Sequence, residues 1–254
     1  MASKVLHQPA TLLWPTARLP IPLAAGEVHV WAWTFDRDGS PADADLRILD
    51  DFERKRTARF HFPADQVRYS VCHANLRRIL ASYLGAPPES LIFREGSGGK
   101  PELAVDGGSL QFNLSHSKSV AAAAVSIDIE VGVDVEDIRP IEADVAKRYF
   151  SPAENASLAA LAGSEWLAGF YRCWTRKEAI LKAEGVGLRT PLDSFDVSLL
   201  EGEAAAVLAV RPESKLKSKW FLHHLAIAER TMGALAVASE AAAVSVRALA
   251  GDSH

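Results

Sequence analysis

Residues 72–80 read CHANLRRIL, and residues 173–181 read CWTRKEAIL. Each stretch opens on a cysteine, Cys72 or Cys173, and each closes on Ile-Leu, a spacing of 101 residues. A second likeness lies upstream. Arg59-Phe60-His61-Phe62-Pro63-Ala64-Asp65 loosely matches Arg148-Tyr149-Phe150-Ser151-Pro152-Ala153-Glu154, here at a spacing of 89, so the later copy would carry a 12-residue insertion. Self-similarity of this kind reads as an internal duplication. It predicts an α+β fold built as a pseudo-twofold pair of similar halves, each a small antiparallel sheet packed against a long helix. The halves would span residues 1–128 and 129–254, with a site in the cleft between them. Arg77 falls where Glu178 stands in the later copy, so the two halves differ chemically.

Periodicity fills in the elements. Alternating β-branched and aromatic residues predict a strand over 27–35. Helical spacing predicts one helix over 43–60, with Leu46, Leu49 and Phe52 on a shared side, and a long one over 64–84 stopped by Gly85. Residues 96–100 (GSGGK) read as a flexible loop. Strands over 110–114 and 120–127 would flank a turn at Ser115-His116-Ser117-Lys118. The later half offers a strand over 131–135 and a short helix over 143–149. A helix start follows at Ser151, where a capping serine, Pro152 and Glu154 coincide. A helix over 166–184 ends at Gly185. Strands follow over 194–199, 205–210, 220–228 and 234–239. The first 25 or so residues read as a proline-rich arm without an assignable role, and the alanine-rich tail after Ser239 gives no pattern.

Composition narrows the class. Of 254 residues, 48% are hydrophobic and 24% charged, which excludes a disordered chain. The net charge of −4 argues against a nucleic-acid partner. Two cysteines make neither a disulfide framework nor a zinc site and point to a reducing compartment. Prolines break every early apolar stretch, so no secretory peptide is expected. The longest apolar run, residues 120–125, is far short of the roughly 20 a membrane span needs. A cytoplasmic protein with no membrane contact is expected.

Several stretches can carry chemistry. On a strand, Asp134 and Glu136 of Gly132-Val133-Asp134-Val135-Glu136 share a face, and paired carboxylates are relieved by a divalent cation such as magnesium. Taken alone, they read equally as an acidic solvent face. Glu178 and Lys182 are i,i+4 neighbours one turn beyond Trp174, which alone would be a surface ion pair beside a core tryptophan. Asn113-Leu114-Ser115-His116-Ser117 offers hydroxyls and an imidazole to phosphate oxygens, or is ordinary turn chemistry. Gly99-Lys100-Pro101 places a lysine on a glycine loop, a common arrangement.

The order of these motifs, with Phe150-Ser151-Pro152-Ala153-Glu154 before Trp174-Thr175-Arg176-Lys177-Glu178-Ala179 and then Lys182, resembles the 4′-phosphopantetheinyl transferases. It is most similar to their Sfp-type branch, across about residues 50–200. The resemblance implies transfer of the phosphopantetheine arm of coenzyme A to a serine of an apo acyl, peptidyl or polyketide carrier protein. Adenosine 3′,5′-bisphosphate would be released, and a monomer would do the work. It implies Mg²⁺ on Asp134, Glu136 and Glu178. Arg56, Lys100, Pro101, Ser115, His116 and Lys182 would contact coenzyme A, with Arg54 and Arg68 as further basic neighbours. Glu178 would be the base, directly or through a metal-bound water, while Lys182 and His116 stabilise the departing phosphate. Glu53 stands in the basic segment where a lysine would fit the phosphate clamp. Lys147, Arg148 and the helix from Ser151 would meet an acidic carrier protein. Two other classes stay open on the motifs: a magnesium-dependent nuclease or nucleotidyl transferase, which the net charge disfavours, and a non-catalytic carrier-binding module.

Overall fold

The computed structural model describes residues 21–35, 39–104, 109–185, 190–214, 216, 219–238 and 245–250. Most of the expected N-terminal arm, residues 1–20, lies outside them. The first strand, β1 (Glu27–Thr34), forms where alternation predicts it. The single helix expected over 43–60 is two. α1 (Asp43–Ile48) stops at Leu49, whose backbone is extended, and α2 (Asp51–Arg59) restarts behind a capping box. In that box Asp50 Oδ1 accepts from Glu53 N–H and Glu53 Oε2 accepts from Asp50 N–H, at 2.8 and 3.0 Å. The break turns the expected apolar side: Leu49 is buried, but Phe52 is 71% exposed.

α3 (Pro63–Leu84) starts on proline and ends at Gly85, whose φ of +62° suits a residue without a Cβ. A hairpin of β2 (Phe93–Glu95) and β3 (Pro101–Leu103) follows around a 3₁₀ turn at Ser97–Gly99, which the expected flexible loop did not include. β4 (Leu110–His116) runs two residues further than predicted, so Ser115 and His116 lie at the end of a strand and not in the turn. β5 (Val120–Ile127) returns beside it.

The sequence of elements then repeats. β6 (Val131–Asp137), α4 (Ala143–Tyr149), α5 (Pro152–Ala159) and α6 (Gly163–Glu184) are followed by a 3₁₀ turn at Leu192–Ser194. β7 (Phe195–Val197), β8 (Val207–Val210), β9 (Trp220–Leu225) and β10 (Thr231–Ala238) complete the second set. The expected boundary at 128/129 falls in the link between β5 and β6. One sheet has the order β11-β1-β5-β4 and the other β6-β10-β9. The added strand β11 (Ser245–Ala250), in the tail that showed no pattern, pairs parallel to β1 while the other ladders are antiparallel.

Alternation explains the layering. Val28, Val30, Ala32, Ala122 and Ala124 face Val131, Val133, Val135, Leu235 and Val237, so the two sheets share one apolar layer. Trp31, Trp33, Ala121 and Ala123 turn the other way, onto α3. Ala234, Ala236 and Leu222 turn onto α6. Each fully buried Val or Leu in these layers contributes roughly 1.5–3 kcal/mol.

The repeat also corrects the alignment of the halves. The second capping box joins Ser151 and Glu154, and the first joins Asp50 and Glu53, so the boxes stand 101 residues apart. The likeness of 59–65 to 148–154 is therefore not the structural match, and no 12-residue insertion is needed. Arg77 donates to Glu53 Oε2 at 2.7 Å and to Leu91 O at 2.9 Å. Lys177 meets Glu154 and the carbonyls of Leu192 and Phe195 in the same way. By contacts, the counterpart of Arg77 is Lys177, one residue before Glu178. Among the described residues, no helix is long and apolar enough to cross a membrane.

Candidate active site

The site begins with β6. Its valines enter the layer between the sheets, which leaves Gly132, Asp134 and Glu136 facing α6. Gly132 sets how close the helix comes. A Cβ there would stand 2.1 Å from Ala179 O and 2.4 Å from Ala183 N, both backbone atoms of α6. This close approach brings Lys182 onto the strand: its Nζ donates to Asp134 Oδ1 and to Ser115 Oγ, each at 2.7 Å.

Ser115 arrives from the other half. Its hydroxyl donates to Asp134 Oδ1 at 3.0 Å and accepts from Lys182 and from Val135 N–H at 3.3 Å. Two residues earlier, Asn113 Oδ1 accepts from Val133 N–H at 2.8 Å. Side chains of β4 thus supply bonds that a neighbouring strand would otherwise give β6, and they fix its register. The signal for this mount was the N-x-S spacing itself, since residues two apart on a strand share a face.

Glu136 and Glu178 both respond to Asp134. Burial pushes the Glu136 carboxyl up to about 7, the Asp134 charge adds to it, and Lys182 and Arg139 oppose. Glu178 is raised by burial and then by Asp134, against Lys182. Asp134 is buried, its Oδ1 is shared by two donors, and its Oδ2 has no partner. Among the described residues, no three acidic, histidine or cysteine side chains are gathered closely enough to enclose an ion. The chemistry of the set nevertheless suits a hard divalent cation: carboxylate oxygens only, one of them without a hydrogen-bond partner, and two carboxyls whose pKa burial and the Asp134 charge raise. Lys182 supplies part of the positive charge in this conformation.

His116 ends β4 with an exposed edge. Protein around the ring removes water and lowers its pKa, and the Lys182 charge lowers it further, with smaller contributions from Arg68 and His73. Beside it opens a cavity of about 610 Å³ between α2, α3, the β2–β3 hairpin and β4, lined among others by Tyr69, His73, Phe93, Pro101, Asn113 and His116. This volume suits a small-molecule ligand. Tyr69 and His73 stack at 4.0 Å between ring centres. Neither was expected at the site, although their i,i+4 spacing on α3 was a signal that they share a face. Burial raises the Tyr69 hydroxyl to about 12, Glu53 adds to this, and Arg56 opposes it.

Other expected residues sit differently. Glu53 is a hub: besides its cap it meets His73 Nδ1 at 3.0 Å and Arg77 Nε at 2.7 Å. Arg56 is exposed on α2, outside the cavity lining, and Arg54 pairs with Asp51. Arg68 pairs with Asp65 at 2.5 Å, while its buried Nε has no partner. Lys100 does not join Ser115 and His116. Its ammonium donates to Val131 O at 3.3 Å and Ala183 O at 3.1 Å, tying the β2–β3 hairpin to the strand and helix of the second half. Burial lowers its pKa, against Glu130 and Glu102.

A family model described as the 4′-phosphopantetheinyl transferase superfamily matches residues 130–239, and one described as the N-terminal part of 4′-phosphopantetheinyl transferases matches 39–127. The 4′-phosphopantetheinyl transferase HetI of Nostoc is 34% identical over 221 residues, covering 85% of this chain and 90% of its own. This chain belongs to the 4′-phosphopantetheinyl transferase family. A putative 4′-phosphopantetheinyl transferase of Synechocystis is 33% identical over 197 residues, 76% of this transferase and 78% of the relative. The 4′-phosphopantetheinyl transferase Sfp of Bacillus subtilis is 33% identical over 147 residues, 58% and 65% of the two chains. The two family matches lie on either side of the link between β5 and β6, and the residues gathered around Asp134 come from both.

Proposed function

We propose that this transferase works on coenzyme A at the junction of β4, β6 and α6, with the nucleotide end in the cavity beside His116. The reaction is that of its family: the phosphopantetheine group of coenzyme A passes to a serine of an apo carrier protein, and adenosine 3′,5′-bisphosphate leaves. The observation that carries the assignment is Lys182 Nζ, which bridges Ser115 of the first half and Asp134 of the second.

In this reading Asp134, Glu136 and Glu178 hold Mg²⁺, which when bound supplies Lewis-acid neutralisation of pyrophosphate charge. The protein's own groups do the rest. Lys182 brings a fixed positive charge to the cleft and donates to phosphate oxygens as the phosphoanhydride breaks. His116, favoured neutral in the free protein, donates one ring N–H and gains a proton more readily once an anion is beside it. Glu178, which burial raises above an ordinary carboxyl, is the group that takes the proton of the incoming serine hydroxyl, directly or through a metal-bound water. Pro101 lines the hairpin side of the cavity, Lys100 ties that hairpin to β6 and α6, and Arg56 adds positive charge near Tyr69.

Lys147 and Arg148, at the end of α4 and just before the capped start of α5, form the face for an acidic carrier protein. One chain supplies both walls of the cleft, which favours a monomer as the working form. Two buried, unbonded cysteines suit a cytoplasmic setting. Intact mass of several apo carrier proteins incubated with coenzyme A, magnesium and this protein tests the reading. One phosphopantetheine arm gained on one of them is the expected result. No gain on any, with no adenosine 3′,5′-bisphosphate released, overturns it.

A further inference from the structure

Asp137 ends β6, next to Glu136 but on the opposite side of the strand. Its carboxylate is spent on the turn that joins β4 to β5. Oδ2 accepts from Lys118 N–H at 2.8 Å and from Ser119 N–H at 3.2 Å, and Oδ1 accepts from the Ser119 hydroxyl. Three donors from two consecutive residues converge on one side chain. Among the described residues, the turn's other bonds are Ser117 N–H to Val120 O at 2.9 Å, the Ser117 hydroxyl with Val120, and Phe35 N–H to Ser119 O at 3.4 Å; none of them reaches β6.

His116 lies between two attachments of β4 to β6. On one side Ser115 is tied to Asp134 and Val135. On the other, the residues just past His116 are tied to Asp137. Bonds from a charged acceptor are stronger than neutral ones, and two N–H groups plus a hydroxyl define an orientation that one bond would not. We infer that Asp137 is a positioning residue for coenzyme A: by seating the 117–119 turn on the end of β6, it holds the His116 ring at the mouth of the cavity. Asp137 itself touches no ligand in this arrangement and acts through His116. The inference rests on the proposed role of His116 as a coenzyme A contact.

The test is a double-mutant cycle read as the dissociation constant of coenzyme A by calorimetry, with magnesium present and each protein's melting temperature recorded. Asp137→Ala should weaken binding about tenfold in the parent protein and by less than about twofold in a His116→Ala background, the non-additivity of residues acting through one another. Asp137→Asn, which keeps one acceptor oxygen, should fall between parent and Asp137→Ala; this variant keeps the test open should the alanine protein fold poorly. Equal losses in both backgrounds overturn the inference. So does a lowered melting temperature with unchanged affinity, which marks Asp137 as a fold residue only. A parent protein that binds no coenzyme A overturns the functional reading as well. Normal binding in the parent with no effect of His116→Ala removes the His116 role, and this inference with it, while leaving the transferase reaction standing.

Discussion

Lys177 Nζ stands 2.8 Å from Glu154 Oε1, and the two side chains are 0% and 3% exposed. The pair joins α6 to the capping box that starts α5. Glu154 also accepts from Ser151 N–H and Val197 N–H, while Lys177 reaches the carbonyls of Leu192 and Phe195. The residues that make the last two motifs recognisable, F-S-P-A-E and W-T-R-K-E-A, thus meet through their charged members. Of those charges, only Glu178 is left facing the cleft acids.

Lys177→Met should therefore destabilise the protein by about 3–5 kcal/mol, the cost of leaving a buried charge without its partner. Combining it with Glu154→Gln should cost less than the two single changes added. Denaturant melts of the three variants check this, and strict additivity would mean that the pair is not energetically coupled.

Gly132→Ala places a Cβ against two backbone atoms of α6 that a rotamer change cannot move. The helix has to shift, at a cost of about 1–3 kcal/mol or more. Because the same approach carries Lys182 to Asp134, transfer should fall together with the melting temperature. A stable variant with full activity would show that this helix–strand distance is not needed.

Asp134→Asn keeps the shape but removes the charge that raises Glu136 and Glu178. Glu136 should then titrate below its present value of about 7 in a carboxyl NMR titration of the metal-free protein. Transfer at saturating magnesium should fall about 100-fold or more, beyond the loss of an outer-shell partner. Melting without magnesium should change little, since Lys182 is 30% exposed and regains water.

Glu53 gives the protein an acid-sensitive joint. Burial alone would raise its carboxyl, but the His73 hydrogen bond, the Asp50 N–H and the charges of His73 and Arg77 outweigh burial and hold it below the ordinary 4.5. A lowered carboxyl contributes stability that is present above 4.5 and lost as pH falls through its folded-state value. Glu53→Gln should thus flatten the acid limb of the stability curve, measured by urea melts from pH 6 downward. An unchanged limb would sink the assignment.

Charge reversal at both Lys147 and Arg148 should raise KM for an acidic carrier protein and weaken its salt dependence, with kcat little changed. A change confined to kcat would move the docking face elsewhere.

Much of this site could be read from the chain because its spacing is local. Val131, Val133 and Val135 alternate with Gly132, Asp134 and Glu136, and a period of two needs only a strand to place both acids on one face. Ser151, Pro152 and Glu154 declare a helix start within four residues. The break between α1 and α2 was harder: Asp50 and Glu53 make the same box, but no proline follows and the apolar spacing runs across it. β2 and β3, three residues each, are too short for any period. The partners of Lys100, Lys177 and Glu53 lie far away in sequence, and no local pattern announces a long-range bond. The N-x-S mount needed the second half in place before Asn113 had anything to hold.

β11 follows the whole second half yet pairs with β1, the first strand described. On a ribosome, the sheet that holds β1 therefore waits for the whole second half to be made before β11 covers its outer margin. Until then β1 presents a bare row of amide groups that a neighbouring nascent chain could pair with. Cutting the chain before Ser245 would remove the strand that covers this margin, so β11 is a clasp whose loss invites aggregation.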